Sequence, residues 1–297
     1  TSGTPTTAVA NNVISGVGVN RVTLKGLTVS YALNACVYFE GGSENFLDGL
    51  TINNSAAYGV YNLHSSNLEV INGLTIASTV LSWGFFTSYG SNTTMSSGTI
   101  AISSPYGIYT THNSTMAISA PTLNITGALI AGIYIYYGSH MSVTSTTTIT
   151  STASASGGNA ILASVNSSFN FSTNSLTITY SGSGDWSIGL YASTNSYISV
   201  SVATGKALTI YTSAVAGNQY AMYSVYGSQL SVSGAGNVTV TANYEYDAYV
   251  AYRAGINLST TGTVPATPTM NAYHNSHHYT AGSWTTAATC DASSVCL

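Results

Sequence analysis

Apolar and polar positions in this chain return at a fixed phase. The register is marked by an apolar residue at Ile14, Val37, Val60, Phe85, Ile108, Ile133, Ile161, Leu190, Met222 and Ala248. Successive anchors lie 23, 23, 25, 23, 25, 28, 29, 32 and 26 residues apart. The residue before the anchor is mostly small: Cys36, Gly59, Gly84, Gly107, Gly132, Ala160, Gly189, Ala221. Five residues after it, Gly42, Gly90, Asn113, Gly138, Asn166, Asn195 and Gly227 suit a left-handed turn, which Gly and Asn adopt most cheaply. Serine follows in the next column, at Ser43, Ser66, Ser91, Ser114, Ser139, Ser167, Ser196 and Ser228. Repetition at a period of roughly 20 to 50 residues is the mark of a solenoid.

Beyond the turn comes strict alternation, as in Leu68/Val70, Met116/Ile118, Met141/Val143, Phe169/Phe171 and Ile198/Val200. Period two with one apolar face predicts a half-buried strand. Another short strand follows, at Leu50-Thr51-Ile52, Leu74-Thr75-Ile76, Leu176-Thr177-Ile178 and Leu208-Thr209-Ile210. Three short strands cannot bury their own apolar face, but stacked rungs can. The expected fold is all-β: a right-handed parallel β-helix of about ten rungs, its hand taken from the crossover preference. At about 4.8 Å per rung the rod is roughly 45 to 50 Å long. Residues 13–271 form the β-helix, 1–12 a lead-in or cap, and 272–297 a C-terminal capping or tip segment.

The serine column is expected to stack in one corner as a purely structural feature. On that reading Ser114→Ala costs roughly 1 kcal/mol, the worth of one hydrogen bond. Ser114→Leu costs more, through overpacking.

Composition narrows the function. Only 4% of residues are charged and the net charge is −4. Arg21, Lys25, Lys206 and Arg253 are the whole basic complement. Four scattered cations cannot neutralise a phosphate backbone or an anionic bilayer, so neither nucleic acid nor membrane is an expected partner. No apolar run approaches the roughly 18 residues of a membrane-spanning helix. Cys290 and Cys296 enclose a short polar loop. A disulfide between them is expected in an extracellular setting, the alternative being two free thiols in a tail. Cys36 reads as a small packed residue.

Catalytic signals are sparse. Glycan cleavage calls for carboxylates converging on one groove. The candidates are Glu40, Glu44 and Asp48, or Asp185 with Glu245 and Asp247, each of which also reads as solvated charge near a turn. His64 and His112 share a column two rungs apart, about 9.6 Å, too far to hold one metal. His274, His277 and His278 read as part of a polar capping loop, with metal binding across a symmetry axis as the alternative. No metal or cofactor is expected. Eight glycosylation sequons, at Asn53, Asn92, Asn113, Asn124, Asn166, Asn170, Asn237 and Asn257, are permissive and no more.

The more informative feature is aromatic. One residue after the anchor stand Tyr38, Tyr61, Phe86, Tyr109, Tyr134, Tyr191, Tyr223 and Tyr249. If the anchors face in, this column faces out; the alternative is a reversed phase with some rings stacked inside the coil. Tyr89, Tyr137, Tyr226 and Tyr252, four after the anchor, and Tyr58, Trp83, Tyr106, Tyr220 and Tyr246, two before it, widen the stripe. Tyrosine offers an apolar face with a polar rim, which suits sugar rings or a partner protein. The candidate ligand-binding residues are Tyr61, Phe86, Tyr109, Tyr134, Tyr191 and Tyr223. Tyr109→Ala is expected to cause a clear loss of binding with little loss of stability. The column two after the anchor (Asn62, Thr87, Thr110, Ala163, Ala192, Ser224) is too polar to read plainly as core.

Units such as Tyr58-Gly-Val-Tyr-Asn-Leu-His-Ser-Ser-Asn-Leu-Glu-Val, followed by Gly73-Leu-Thr-Ile, resemble the β-helix repeats of bacteriophage tail spikes and tail fibres. The resemblance covers about residues 13 to 271. It implies a homotrimer on a virion tail that binds a cell-surface polysaccharide or glycoprotein, and in many such proteins cleaves it. Similar repeats occur in secreted adhesins, and low-charge chains of this kind in extracellular filaments and surface layers. The expected location is extracellular, on a virion tail or cell surface.

Overall fold

A computed structural model describes residues 10–78, 83–127, 130–151, 158–182, 186–214, 218–242, 247–262, 270–272 and 277–280. Cys290, Cys296, His274, Asp185, Glu245 and Tyr246 lie outside the described residues, as do the side chains of His277 and His278. The chain forms the right-handed parallel β-helix that its period predicts, with about nine turns. Among the described residues every named strand pairing is parallel and no helix occurs.

The first face is an eleven-stranded sheet running from Ala10–Val17 through Ala32–Glu40, Tyr58–Leu63, Trp83–Thr87, Tyr106–Thr110 and Ala131–Ile135 to Met270–Ala272. The anchors pair without a slip: Ile14 with Val37, then Val60, Phe85, Ile108, Ile133, Ile161, Leu190, Met222 and Ala248. All but Ile14 are fully buried. The second and third faces share one sheet. In the lower rungs a single strand, Asn45–Asn53 or Asn67–Ala77, supplies both faces, with a register shift between Asp48 and Leu50. From Asn92–Met95 and Thr99–Ser103 upward two strands share the work. The ladder continues to His277–Thr280, which pairs with Gly255–Leu258 inside the segment expected to cap the rod.

The corner after the first face takes two left-handed residues per turn, where the sequence suggests one. His64/Ser65, Tyr89/Gly90, His112/Asn113, Tyr137/Gly138, Val165/Asn166, Thr194/Asn195, Tyr226/Gly227 and Tyr252/Arg253 all have φ between 47 and 74°. Outside glycine this conformation costs roughly 1–2 kcal/mol per residue. The compensation lies between rungs. The second turn residue donates its N–H to the first turn residue of the next rung: Ser65 to Tyr89 O at 2.9 Å, Gly90 to His112 O at 2.9 Å, Asn113 to Tyr137 O at 2.9 Å. Turn amides that would otherwise lack a partner are thereby satisfied.

The serines complete the corner as one continuous stack. Each amide donates to the hydroxyl oxygen of the next rung: Ser66 to Ser91 at 3.2 Å, Ser91 to Ser114 at 3.2 Å, Ser114 to Ser139 at 3.1 Å, Ser139 to Ser167 at 3.3 Å, Ser167 to Ser196 at 3.1 Å, Ser196 to Ser228 at 3.0 Å. Below Ser66 the partner changes, and Ser43 N–H donates down to Asn20 Oδ1 at 2.8 Å. Because Ser114 Oγ is the acceptor for a buried amide, Ser114→Ala strands that amide. Its expected cost rises to about 1–3 kcal/mol, and Ser114→Leu exceeds it. Urea unfolding midpoints of the two variants check this; a tolerated leucine would mean that the corner is open rather than packed.

The polar column two after the anchor is core after all. Asn62, Thr87, Thr110 and Ser224 are buried. Asn62 Nδ2 donates to Ser66 O at 3.3 Å and Asn92 O at 3.0 Å, Thr87 meets Thr93 at 2.9 Å, and Ser224 Oγ donates to Ser228 O at 3.2 Å. Asn62 and Ser224 bond into the turn from inside, and Thr87 bonds across to the strand Asn92–Met95.

The column before the anchor is small for a steric reason. A Cβ on Gly107 would stand 2.3 Å from Gly132 O and 2.7 Å from Ile125 Cγ2. Gly59, Gly84, Gly132 and Gly189 repeat this with the carbonyl above and with Ile76, Ile102, Ile149 and Ile210 of the third face. Cys36 belongs to this column and is fully buried. Burial also pushes its thiol up in pKa, against a weaker lowering by a backbone hydrogen bond.

Candidate functional site

Two successive inward residues, the small one and the anchor, set out the candidate site. Residues two before and one after the anchor both lie on the outer side, three apart rather than two or four. Two aromatic columns are therefore side by side on the first face. Tyr38, Tyr61, Phe86, Tyr109 and Tyr134 are aligned by direct pairing of adjacent strands, as are Tyr58, Trp83 and Tyr106. None of these rings joins the central apolar cluster, although Phe86 is buried.

They do not stand free. Tyr61 meets Phe86 at 4.9 Å and Phe86 meets Tyr109 at 4.8 Å, both edge to face. Tyr109 stacks nearly flat on Trp83 (4.5 Å, 24°) and on Tyr134 (4.8 Å, 16°). Trp83 also lies 4.3 Å from Tyr106, and Tyr58 4.3 Å from Tyr61. Phe86 is only 8% exposed under this web. Leu162, 9% exposed, takes the aromatic position in the next rung, above Tyr134. Above it Tyr191, Tyr223 and Tyr249 form a second web, with Tyr223 and Tyr249 stacked at 4.8 Å and 8°.

This geometry corrects the expectation for Tyr109. It contacts Trp83, Phe86 and Tyr134, and such aromatic pairs contribute about 0.5–1.5 kcal/mol each beyond burial. Tyr109→Ala therefore weakens the rod as well as the site. Tyr89, Tyr137, Tyr226 and Tyr252, at the corner, are between 45 and 53% exposed. The sequence groups them with the stripe and gives no sign that they are its most open part.

Electrostatically the rings of the face are neutral, and Glu40 beside Tyr38 is the charge at its lower end. Burial, then neighbouring rings, pushes the Tyr61 phenol up to about 12. Burial leads likewise in raising Tyr109, Tyr134, Tyr191 and Tyr223. Tyr38 is raised by burial and by the Glu40 carboxylate that accepts its hydrogen bond. These phenols stay protonated at physiological pH and present donors, not charge.

The carboxylates do not converge. Glu40 accepts from Tyr38 and pairs with His64 Nδ1 at 2.7 Å, and these contacts hold its carboxyl below the usual range. Glu44 is in the turn before the second face, paired with Arg21 at 2.6 Å. Asp48 accepts from Asn72 at 2.8 Å and pairs with Lys25 at 2.9 Å, which lowers its pKa. Asp247 Oδ1 accepts from Ala242 N–H at 2.7 Å. A shallow groove of about 310 Å³ on the second face is lined by Glu44, Glu69, Asn67 and Asn92. There Glu69 already accepts from Ser96 at 2.9 Å. Tyr89 lies between His64 and His112, at 5.0 and 4.4 Å. Among the described residues no group of three His, Cys, Asp or Glu side chains could hold a metal ion.

The chain is thus a parallel β-solenoid carrying an outward aromatic face. No protein-family model, curated protein or solved structure matches it.

Proposed function

We propose that this protein is an extracellular or virion-associated receptor-binding protein, of the tail-fibre or tail-spike kind, which holds a host-surface glycan along its first face. The observation that carries the reading is the web of uncharged rings from Tyr38 to Tyr134 on a rigid rod. Hexose rings present apolar C–H faces and hydroxyl rims, the complement of tyrosine edges and phenols. Glycan cleavage is the weaker reading, because Glu40, Glu44 and Asp48 are each bound to a different partner.

The same rings favour a homo-oligomer, a trimer by the resemblance, since exposed apolar patches of this extent are uncommon on monomers. Adsorption to host cells and an array of bacterial surface polysaccharides test the binding function. The expected result is retention of at least one polysaccharide, weakened in Tyr61→Ala and Tyr134→Ala. Absence of binding to every glycan and every cell type overturns it. A monomeric mass by sedimentation at micromolar concentration removes the trimer but leaves the binding face.

A further inference from the structure

The corner beside the first face carries a second aromatic column that the fold does not require. His64, Tyr89, His112 and Tyr137 are in ring contact in consecutive rungs, at 5.0, 4.4 and 5.1 Å, with Tyr89 and His112 stacked and the outer two pairs tilted by 38 and 36°. Tyr226 and Tyr252 stack higher up at 4.9 Å and 14°. All six hold a left-handed backbone, with φ from 47 to 57°. Glycine or asparagine would adopt it at lower cost.

Neither the backbone nor packing explains the rings. Val165 and Thr194 occupy the same column between the two segments, at φ 55 and 53°. They make the same bonds between rungs, Gly138 N–H to Val165 O at 2.9 Å and Asn166 N–H to Thr194 O at 3.0 Å. The turn therefore closes equally well without an aromatic side chain. Nor do the rings serve the core: none belongs to it, and Tyr89, Tyr137, Tyr226 and Tyr252 are about half exposed. Six of the eight turns from His64 to Tyr252 nonetheless place a flat ring where a cheaper residue would do. Non-glycine residues held in this region are concentrated where a side chain has work to do outside the fold. The ridge also joins the face, since Tyr137 lies 4.0 Å from Tyr136, which is 5.4 Å from Tyr134.

Charge sets the ligand class. From Tyr61 to Tyr226 no Lys, Arg, Asp or Glu stands in the ridge or in either ring column of the face. Arg21 and Lys25 are committed to Glu44 and Asp48, Lys206 follows the Thr204–Gly205 turn far from the ridge in register, and Arg253 adjoins only the uppermost ring. Glu40, paired with His64, is the charge at the lower end. A polymer of uronic or sialic acid would lose water from its carboxylates here and find no permanent cation in exchange, since His64 is engaged by Glu40 and His112 Nδ1 by Ser88 and Thr111. We infer that the ridge from His64 to Tyr137 is the primary contact for an uncharged, extended oligosaccharide lying along the rod, over roughly 14 Å of stacked turns. This rests on the glycan-binding reading above and assigns it a ligand class and a position.

The test uses glycine, which removes the ring and suits the backbone. Wild type, Tyr89→Gly/Tyr137→Gly and Tyr109→Ala are titrated with neutral polymers (dextran, mannan, galactan) and acidic ones (alginate, hyaluronate, polysialic acid). Titrations are repeated from about 0.05 to 0.5 M NaCl, a range over which screening suppresses ionic attraction. Binding to a neutral polymer is expected, insensitive to salt, and weakened about tenfold or more by the glycine pair. The unfolding temperature of that pair is expected to equal or exceed that of wild type. Neutral binding that survives the glycine pair overturns the ridge and leaves the face. Acidic polymers bound alone, and only at low salt, overturn the ligand class and leave a glycan-binding protein. Binding to none overturns both, and a glycine pair that fails to fold shows the rings to be structural and ends the inference.

Discussion

Gly107→Ala is expected to destabilise the rod by about 1–3 kcal/mol, although it adds a single methyl group to a residue with ordinary backbone angles. The new carbon would stand 2.3 Å from Gly132 O, and that atom is backbone, held by the ladder, so no side chain can swing aside. Ile125 Cγ2, at 2.7 Å, closes the other direction. Relief requires moving a whole rung against its neighbours, and in a solenoid that displacement falls on the interfaces that hold it together. Gly107→Val should be worse still. Thermal and urea unfolding followed by circular dichroism measure the effect. A Gly107→Ala protein that melts with wild type would show that the column is glycine for some reason other than contact.

Phe85→Ala should cost more, about 3–5 kcal/mol, the usual price of deleting a buried phenylalanine. Phe85 is fully buried and pairs with Val60 below and Ile108 above. Its own rung offers little to refill the space, since Gly84 precedes it and the buried Thr87 is bonded to Thr93. Against a net stability of about 5–15 kcal/mol, this one substitution removes a large share. Urea midpoints at unchanged slope would establish it. A loss below about 1 kcal/mol would mean that the interior collapses around the cavity rather than holding its shape.

Much of the fold is legible in the sequence because one constraint repeats in every rung. The anchors, the serine column and the alternating strands each recur at one phase, and parallel stacking maps every such column onto itself. Composition hid the turn. Tyr89, Val165 and Thr194 are poor candidates for a left-handed backbone on local preference, and a bond to the next rung is what holds them there. Asn62 and Thr87 concealed the core for the same reason: their partners, Asn92 O and Thr93, belong to a different strand. Spacing alone brought Glu40, Glu44 and Asp48 together, whereas turns and separate partners set them apart. The outward column was visible from the phase of the anchors. The degree to which its rings cover one another was not, because it depends on side-chain rotamers that no spacing records.

The serine stack has a consequence for how the rod can change size. Each bond joins like to like, so Ser91 finds in Ser114 what it would also find in Ser139. Translation by one rung is nearly a symmetry of the structure. Excising a complete rung between Ser66 and Ser228, or duplicating one, presents each exposed serine amide of the stack with an acceptor of the same kind. Insertions of a few residues are absorbed between strands, since anchors spaced 23 to 32 residues apart still pair in register. Length is thus the property this architecture can vary most freely, and the reach of the molecule from its base to its tip can be adjusted without rebuilding its interior.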